Sequence, residues 1–289
     1  MHPLEFRVVD LPEESSHQAA VLVLGQHRAV LVGTGLRLAD GRRLEREVAS
    51  SGRQLSTVLV PDFAPEYWLA AEVLRDAFPE ARFVAPAPVL ARIERNHREV
   101  RAAWSGLGPE LPTRLVGLEP LNEDAVELEG HRLELRGASL GLPDRHYVWE
   151  HRSRTLLGGP LLWLNVHPRL ADTPHAAQRT AWIDLLDEIA ALDAQLVVPG
   201  HRHLTTPASA PESAPAPTPD SHSHPAPAPA PNHAPDPVAW TGDYLRAFET
   251  ELGKPVAPEA VEAALLHRFP SAALPATVAP SVRAALAHP

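Results

Sequence analysis

An apolar run from Val58 to Val60 stops at Pro61, and a short loop carrying Asp62 and Glu66 follows. A helical pattern then opens at Tyr67, with Trp68, Ala71 and Leu74 on one face. No other part of the chain narrows the choice of fold as much as this stretch from Ser56 to Ala71. A strand that ends in a polar loop just before a helix belongs to an α/β fold, and such strand ends are where α/β enzymes place their chemistry. Asp62 and Glu66 are therefore the first candidate site residues.

The flanking sequence supplies the rest of such a fold. Leu4 to Val9 reads as an edge strand, and Ala19 to Val32 as a β-hairpin turning at Gly25-Gln26-His27. The return strand ends in Gly33-Thr34-Gly35, and Arg42 to Ser51 reads as a helix leading to the strand at Val58. A helix from Glu66 to Ala77, a strand from Arg82 to Ala85 and a helix from Pro88 to Trp104 come next. Arg92, Arg95, His97 and Arg98 on that last helix read as a solvated face. From Arg114 to Gly159 the pattern switches to short strands: Ala125 to Leu128, His131 to Leu135, His146 to Trp149 and Thr155 to Leu157. Glu129-Gly130 is a tight hairpin signal between the first two. Strands, helices, strands and a helix in that order imply two sheets packed face to face with helices outside.

Thr205 to Pro237 is a different material, rich in proline, alanine and serine, with His222, His224 and His233 scattered through it. It cannot bury enough apolar surface to fold and is expected to be a disordered, partly extended loop. Residues 1–204 are thus expected to form the main domain. Residues 238–289 are expected to add helices to it: Asp236 to Leu252, Pro258 to Phe269 and Pro280 to Ala287.

Composition removes several function classes. The formal net charge is -10 and Lys254 is the only lysine, so no nucleic-acid footprint is expected. There is no cysteine, which excludes disulfides, thiolate catalysis and Cys-ligated metal. Met1 to Glu14 carries charges throughout, unlike a signal peptide, and no run approaches the roughly 18 apolar residues of a membrane span. The expectation is a cytoplasmic protein with no membrane partner. A phosphate loop ending in Gly-Lys-Ser/Thr is absent.

The Ser56 to Ala71 stretch resembles the signature loop of the metallo-β-lactamase fold hydrolases, in which a buried strand ends in Thr-His-x-His-x-Asp-His and supplies most ligands of a one- or two-zinc site. On this chain the three histidine positions fall on Asp62, Ala64 and Tyr67, and the aspartate position on Glu66. Gly33 stands where the family usually has aspartate in Asp-Thr-Gly. The family's next metal histidine falls in Gly137-Ala138-Ser139, and its bridging aspartate falls on Gly159 of Gly158-Gly159. The likeness is closer at Asn165-Val166-His167-Pro168-Arg169-Leu170-Ala171-Asp172, at the helix with Arg179 and Trp182, and at Val197-Val198-Pro199-Gly200-His201. His201 is the one family ligand that survives.

The resemblance implies a four-layer αββα sandwich with C-terminal helices. Its degenerate ligand set, Asp62, Ala64, Glu66, Tyr67, Ala138, Gly159 and His201, implies a pseudo-hydrolase that has lost its dinuclear zinc centre and serves as a binding or regulatory homologue. No cofactor is expected under that reading, and the partner is an unidentified small molecule or protein. The alternative is a residual hydrolase of an ester, lactone or thioester, using one Zn, Mn or Fe ion at Asp62, Glu66 and His201. Plain structural roles compete with both: Asp62 as a helix N-terminal cap and Glu66 as a first-turn charge facing the helix dipole. Tyr67, Trp68 and His167 are candidates to shape a pocket, the first two by filling the emptied volume or stacking on an apolar ligand.

Overall fold

The computed structural model describes residues 2–204 and 236–288. The first sheet is built from β1 (Glu5–Asp10), β2 (Ala19–Leu24) and β3 (Arg28–Val32), then α1 (Leu38–Ser51), β4 (Gln54–Leu59), α2 (Ala71–Ala77), β5 (Arg82–Pro86), α3 (Ala87–Ala103) and β6 (Glu119–Leu121). Its strand order is β1-β2-β3-β4-β5-β6, antiparallel through the hairpin and parallel from β3 onward. The second sheet takes β7 (Ala125–Leu128), β8 (His131–Ser139), β9 (Leu142–Glu150) and β10 (Thr155–Leu157). A short ribbon pairs β11 (Trp163–Leu164) with β13 (His201–Arg202), and between them in the chain lie α4 (Ala176–Ala191) and β12 (Leu196–Val198). β12 joins the second sheet beside β10, giving the order β12-β10-β9-β8-β7. The described chain ends in α5 (Pro237–Leu252), α6 (Pro258–Arg268) and α7 (Val278–Ala287).

The alternation of each strand decides the layers. Val21, Val23, Val30 and Val32 face the second sheet and pack with Val126, Leu133, Val148 and Leu157. Their neighbours Leu22, Leu24 and Leu31 face outward onto Leu44 and Val48 of α1 and Leu74 of α2. On the far side Tyr147, Trp149 and Leu156 pack with Trp182 of α4 and with Tyr244 and Phe248 of α5. Every strand of this kind buries both faces, which is why β2 reads as one apolar run and the architecture is the αββα sandwich. Among the described residues no helix is long and apolar enough to cross a membrane.

Several expected boundaries move for physical reasons. The helix expected over Glu66 to Ala77 is two elements, a 3₁₀ turn at Pro65–Tyr67 and then α2. Gly35 N–H donates to the Glu66 carbonyl and Ala70 N–H donates to the Gly35 carbonyl, so contacts with the β3 exit replace the helical ladder. The strands expected at His131 to Leu135 and His146 to Trp149 extend toward each other into one long hairpin, with a register shift between Gly137 and Ser139. Arg92 is not simply solvated: it pairs with Asp144, and its guanidinium sits 3.3 Å from the Phe63 ring centroid. The loop expected over Thr205 to Pro237 lies outside the described residues, apart from its last two. Of those, Asp236 caps α5 by accepting from Val238 N–H at 2.9 Å.

The turn at Glu129-Gly130 has positive φ at both residues (52° and 83°), as a two-residue hairpin needs. From there the Glu129 carboxylate reaches the β2–β3 turn and accepts from the N–H groups of Gln26, His27 and Arg28 at 2.6 to 2.8 Å. The hydrogen bond from His27, opposed by a smaller cost of burial and joined by those from Gln26 and Arg28, lowers its pKa from 4.5 to about 2. Between those pH values the unfolded chain binds the proton that the folded one refuses, so this clasp stabilises above pH 4.5 and is lost as pH falls toward 2. Glu129→Ala is expected to lower Tm at pH 7 and to flatten the fall in Tm between pH 4.5 and 2. An unaltered slope in thermal melts would contradict the clasp.

Candidate functional site

The β4–α2 loop, the β9 strand, the segment after β11 and the Pro-Gly-His turn meet in one buried cluster. Asp62 and Glu66 are 0% exposed and His201 is 1% exposed. Burial of charge at this depth requires compensation. It comes from two guanidiniums, Arg145 on β9 and Arg169, giving two acidic and two basic groups in one cluster.

Glu66 Oε1 accepts from Arg169, whose side chain is 22% exposed and so forms the outer face of the pair. His201 Nε2 lies 3.5 Å from the same Glu66 oxygen and 3.3 Å from the Tyr67 hydroxyl. The other ring nitrogen, Nδ1, lies 2.8 Å from the Ser16 carbonyl oxygen, and Trp163 stacks on the ring at 3.9 Å with planes 7° apart. Burial pushes the His201 imidazole down to about 3, against the opposing pull of the Ser16 carbonyl, so the ring is neutral. Burial likewise holds the Tyr67 hydroxyl well above its usual range, with the Glu66 charge adding to the effect.

Asp62 makes its hydrogen bond within its own loop. Its Oδ1 accepts from Ala64 N–H at 2.7 Å, a turn within the loop rather than the helix cap expected for it. Burial raises its carboxyl to about 7, although the nearby Arg145 guanidinium and the Ala64 hydrogen bond pull the other way. His146 follows Arg145 on β9 and places Nδ1 3.2 Å from the Pro61 carbonyl oxygen.

The positions that lack a donor are occupied by other matter. A Cβ on Gly33 would lie 2.4 Å from the Gln18 side-chain nitrogen, so the Gln18 amide fills the space a side chain would take there. Gly159 has φ +50° and its backbone packs on Gly200, where a Cβ would lie 1.9 Å from the Gly159 carbonyl oxygen and 2.5 Å from the Tyr67 hydroxyl. Ala64 is buried. Ala138 is exposed at the β8 irregularity with φ +43°, lining a cavity of about 300 Å³ with His146. The structure therefore brings Glu66, Tyr67 and His201 into direct contact, with Gly159 behind them, and leaves Ala138 exposed.

A catalytic metal needs about three protein donors with bare lone pairs converging on one point. Here Glu66 Oε1 is taken by Arg169, His201 Nε2 faces the Tyr67 hydroxyl, and Asp62 Oδ1 is taken by Ala64 N–H. Among the described residues no group of three or more His, Asp or Glu side chains is placed to hold a metal ion. The donor set as it stands does not fit the metal that the resemblance implies. Polar atoms in the cluster nonetheless remain without a hydrogen-bond partner, among them Asp62 Oδ2, Glu66 Oε2, Arg145 Nη2, Arg169 Nε and both amide atoms of Gln18.

Tyr67, Trp68 and His167, expected to shape a pocket, are 2%, 3% and 1% exposed. Trp68 Nε1 donates to the Phe63 carbonyl at 2.7 Å, and His167 Nδ1 lies 3.0 Å from the Tyr244 hydroxyl. None of the three lines the cavity of about 560 Å³ above the cluster, whose walls include Glu13, Glu14, Trp104, Arg169 and Leu274. The residues that reading the sequence passed over are Arg145, Gln18 and the role of Arg169. One signal was present: Asp144-Arg145-His146 interrupts a strand otherwise fit for full burial, and three charged or polar groups at such a place imply a buried ionic cluster.

The family profile described as the metallo-beta-lactamase superfamily matches residues 16–201. Among solved structures, a metallo-beta-lactamase family protein from Thermus thermophilus is 19% identical, with a TM-score of 0.62 over 98% of this chain and 91% of that one. A metallo-beta-lactamase from Pontibacter korlensis is 13% identical, with a TM-score of 0.49 over 68% of this chain and 91% of that one. No curated protein matches the chain. At 19% identity the likeness to the Thermus thermophilus structure speaks for the fold.

Proposed function

The chain belongs to the metallo-beta-lactamase superfamily, and from that premise we propose that it is a non-catalytic member, a binding or regulatory homologue built on a hydrolase scaffold. The observation that carries the proposal is the Arg169–Glu66 ion pair set against His201 and Tyr67, which puts a guanidinium where a metal-binding relative needs open coordination. The near-complete burial of Asp62, Glu66, Tyr67 and His201 adds support, because a substrate could not reach these groups without displacing Arg169. The cavity above them is the place for a small-molecule or protein ligand to register.

One observation favours the alternative of a residual single-metal hydrolase: the Glu66 and His201 lone pairs stand only 3.5 Å apart. Elemental mass spectrometry separates the two. The test protein carries alanine at His222, His224 and His233, so that the Pro-rich segment contributes no ligand. The expected result is well under one equivalent of zinc, manganese or iron and the same Tm with and without a strong chelator. A metal bound at a hundred times its Kd would stabilise by about 2.7 kcal/mol, so its removal would be visible. One equivalent of metal and a chelator-sensitive Tm would establish the hydrolase reading instead.

A further inference from the structure

We infer that Tyr67 and Arg169 are proton donors that have taken the place of a metal cation, leaving behind a ligand frame that can still be turned back into a metal site. The inference rests on the metal-free reading and concerns how the site lost its ion. The geometry of His201 carries it. The Ser16 carbonyl can only accept, so the proton of the neutral ring is on Nδ1 and the lone pair is on Nε2. A histidine that ligates metal through Nε2 is oriented in the same way, with Nδ1–H held by a backbone carbonyl. Trp163 stacked on the ring fixes its plane.

That bare nitrogen points at the Tyr67 hydroxyl at 3.3 Å and stands 3.5 Å from Glu66 Oε1. Nitrogen lone pair and carboxylate oxygen are both acceptors, and two acceptors so close are held only by what lies between or beside them. In a metal site a single cation would serve both. Here the Tyr67 O–H is directed to the nitrogen and an Arg169 N–H to the oxygen. Tyr67 also occupies the position of the family's third loop histidine, so one of the two donors replaces a ligand and the other replaces charge. No bond is made or broken in this exchange: hydrogen-bond donation substitutes for Lewis-acid coordination.

The reverse exchange is the test. In the background lacking His222, His224 and His233, the double substitution Tyr67→His with Arg169→Ala is titrated with Zn²⁺ alone and followed by calorimetry and thermal melting. The expected result is about one equivalent bound and a Tm rise of roughly 5–10 °C at a hundredfold excess over Kd, with no shift in the parent chain. A folded double variant indifferent to Zn²⁺ overturns the inference. Should that variant not fold, long-range ¹H–¹⁵N spectra of the parent chain decide. A proton on Nδ1 with Nε2 accepting supports the inference, and a proton on Nε2 overturns it. In that last case a metal-free parent leaves the non-catalytic reading standing, whereas one equivalent of metal in the parent chain overturns both.

Discussion

Replacing Arg169 with methionine is expected to destabilise the protein by about 3–5 kcal/mol, the usual cost of leaving one member of a buried ion pair alone. Glu66 is 0% exposed, and among the described residues Arg169 is its one charged partner within salt-bridge distance other than the neutral His201. Methionine keeps most of the stem's volume, so the loss reports charge rather than a cavity. Pairing Arg169→Met with Glu66→Gln is expected to restore most of the stability, because a neutral amide tolerates the site that a lone carboxylate does not. Urea unfolding of the two single variants and the double variant forms a cycle with a coupling of at least about 1 kcal/mol. Additive losses would mean that the pair is incidental and that the cluster is held together by packing alone.

The second large effect is acid sensitivity. His167 and His201 are buried, and burial takes the first from 6.5 to about 4 and the second to about 3. In the unfolded chain both would bind a proton near pH 6.5, while the folded protein refuses it, so their stabilisation is full above that value. It is lost as pH falls from about 6.5 toward 4 for His167 and toward 3 for His201. For His167 the gap corresponds to about 3 kcal/mol. The cause is desolvation: the ring is 1% exposed, and its Nδ1 lies 3.0 Å from the Tyr244 hydroxyl, which burial keeps protonated. Unfolding free energies measured at steps from pH 7 to pH 4 are expected to fall steadily. His167→Gln, which keeps an acceptor for Tyr244, is expected to remove about 3 kcal/mol from that fall. A variant with the parent's pH profile would show that His167 does not titrate with unfolding.

The scaffold was largely legible in the residues. Strand and helix identities follow from local periodicity: the alternation of Ala19 to Leu24 and the Gly25-Gln26-His27 turn are short-range signals that survive folding unchanged. The lack of donors at two positions was legible too, since an alanine at position 64 or a glycine at 159 offers none wherever the fold puts it. Boundaries were less legible where another segment competes for the same backbone groups. The split of the Glu66 to Ala77 helix depends on hydrogen bonds to Gly35, some 30 residues earlier, about which the helical pattern holds no information.

What surrounds Asp62 and Glu66 was decided by tertiary structure. Asp62 reads as a helix cap and Glu66 as a first-turn charge from neighbouring residues alone, and both turn out to be buried acids matched by arginines from far along the chain. Arg169 lies 103 positions beyond Glu66, and His201 reaches back 185 positions to Ser16. The amino-acid sequence by itself determined the αββα layering and the lack of a donor side chain at Ala64 and Gly159, because side-chain type and local period are properties of short stretches. Only the folded chain decided that Tyr67 stands against His201 and Arg169 against Glu66, because desolvation and Coulomb pairing act through space between segments that are unrelated in sequence.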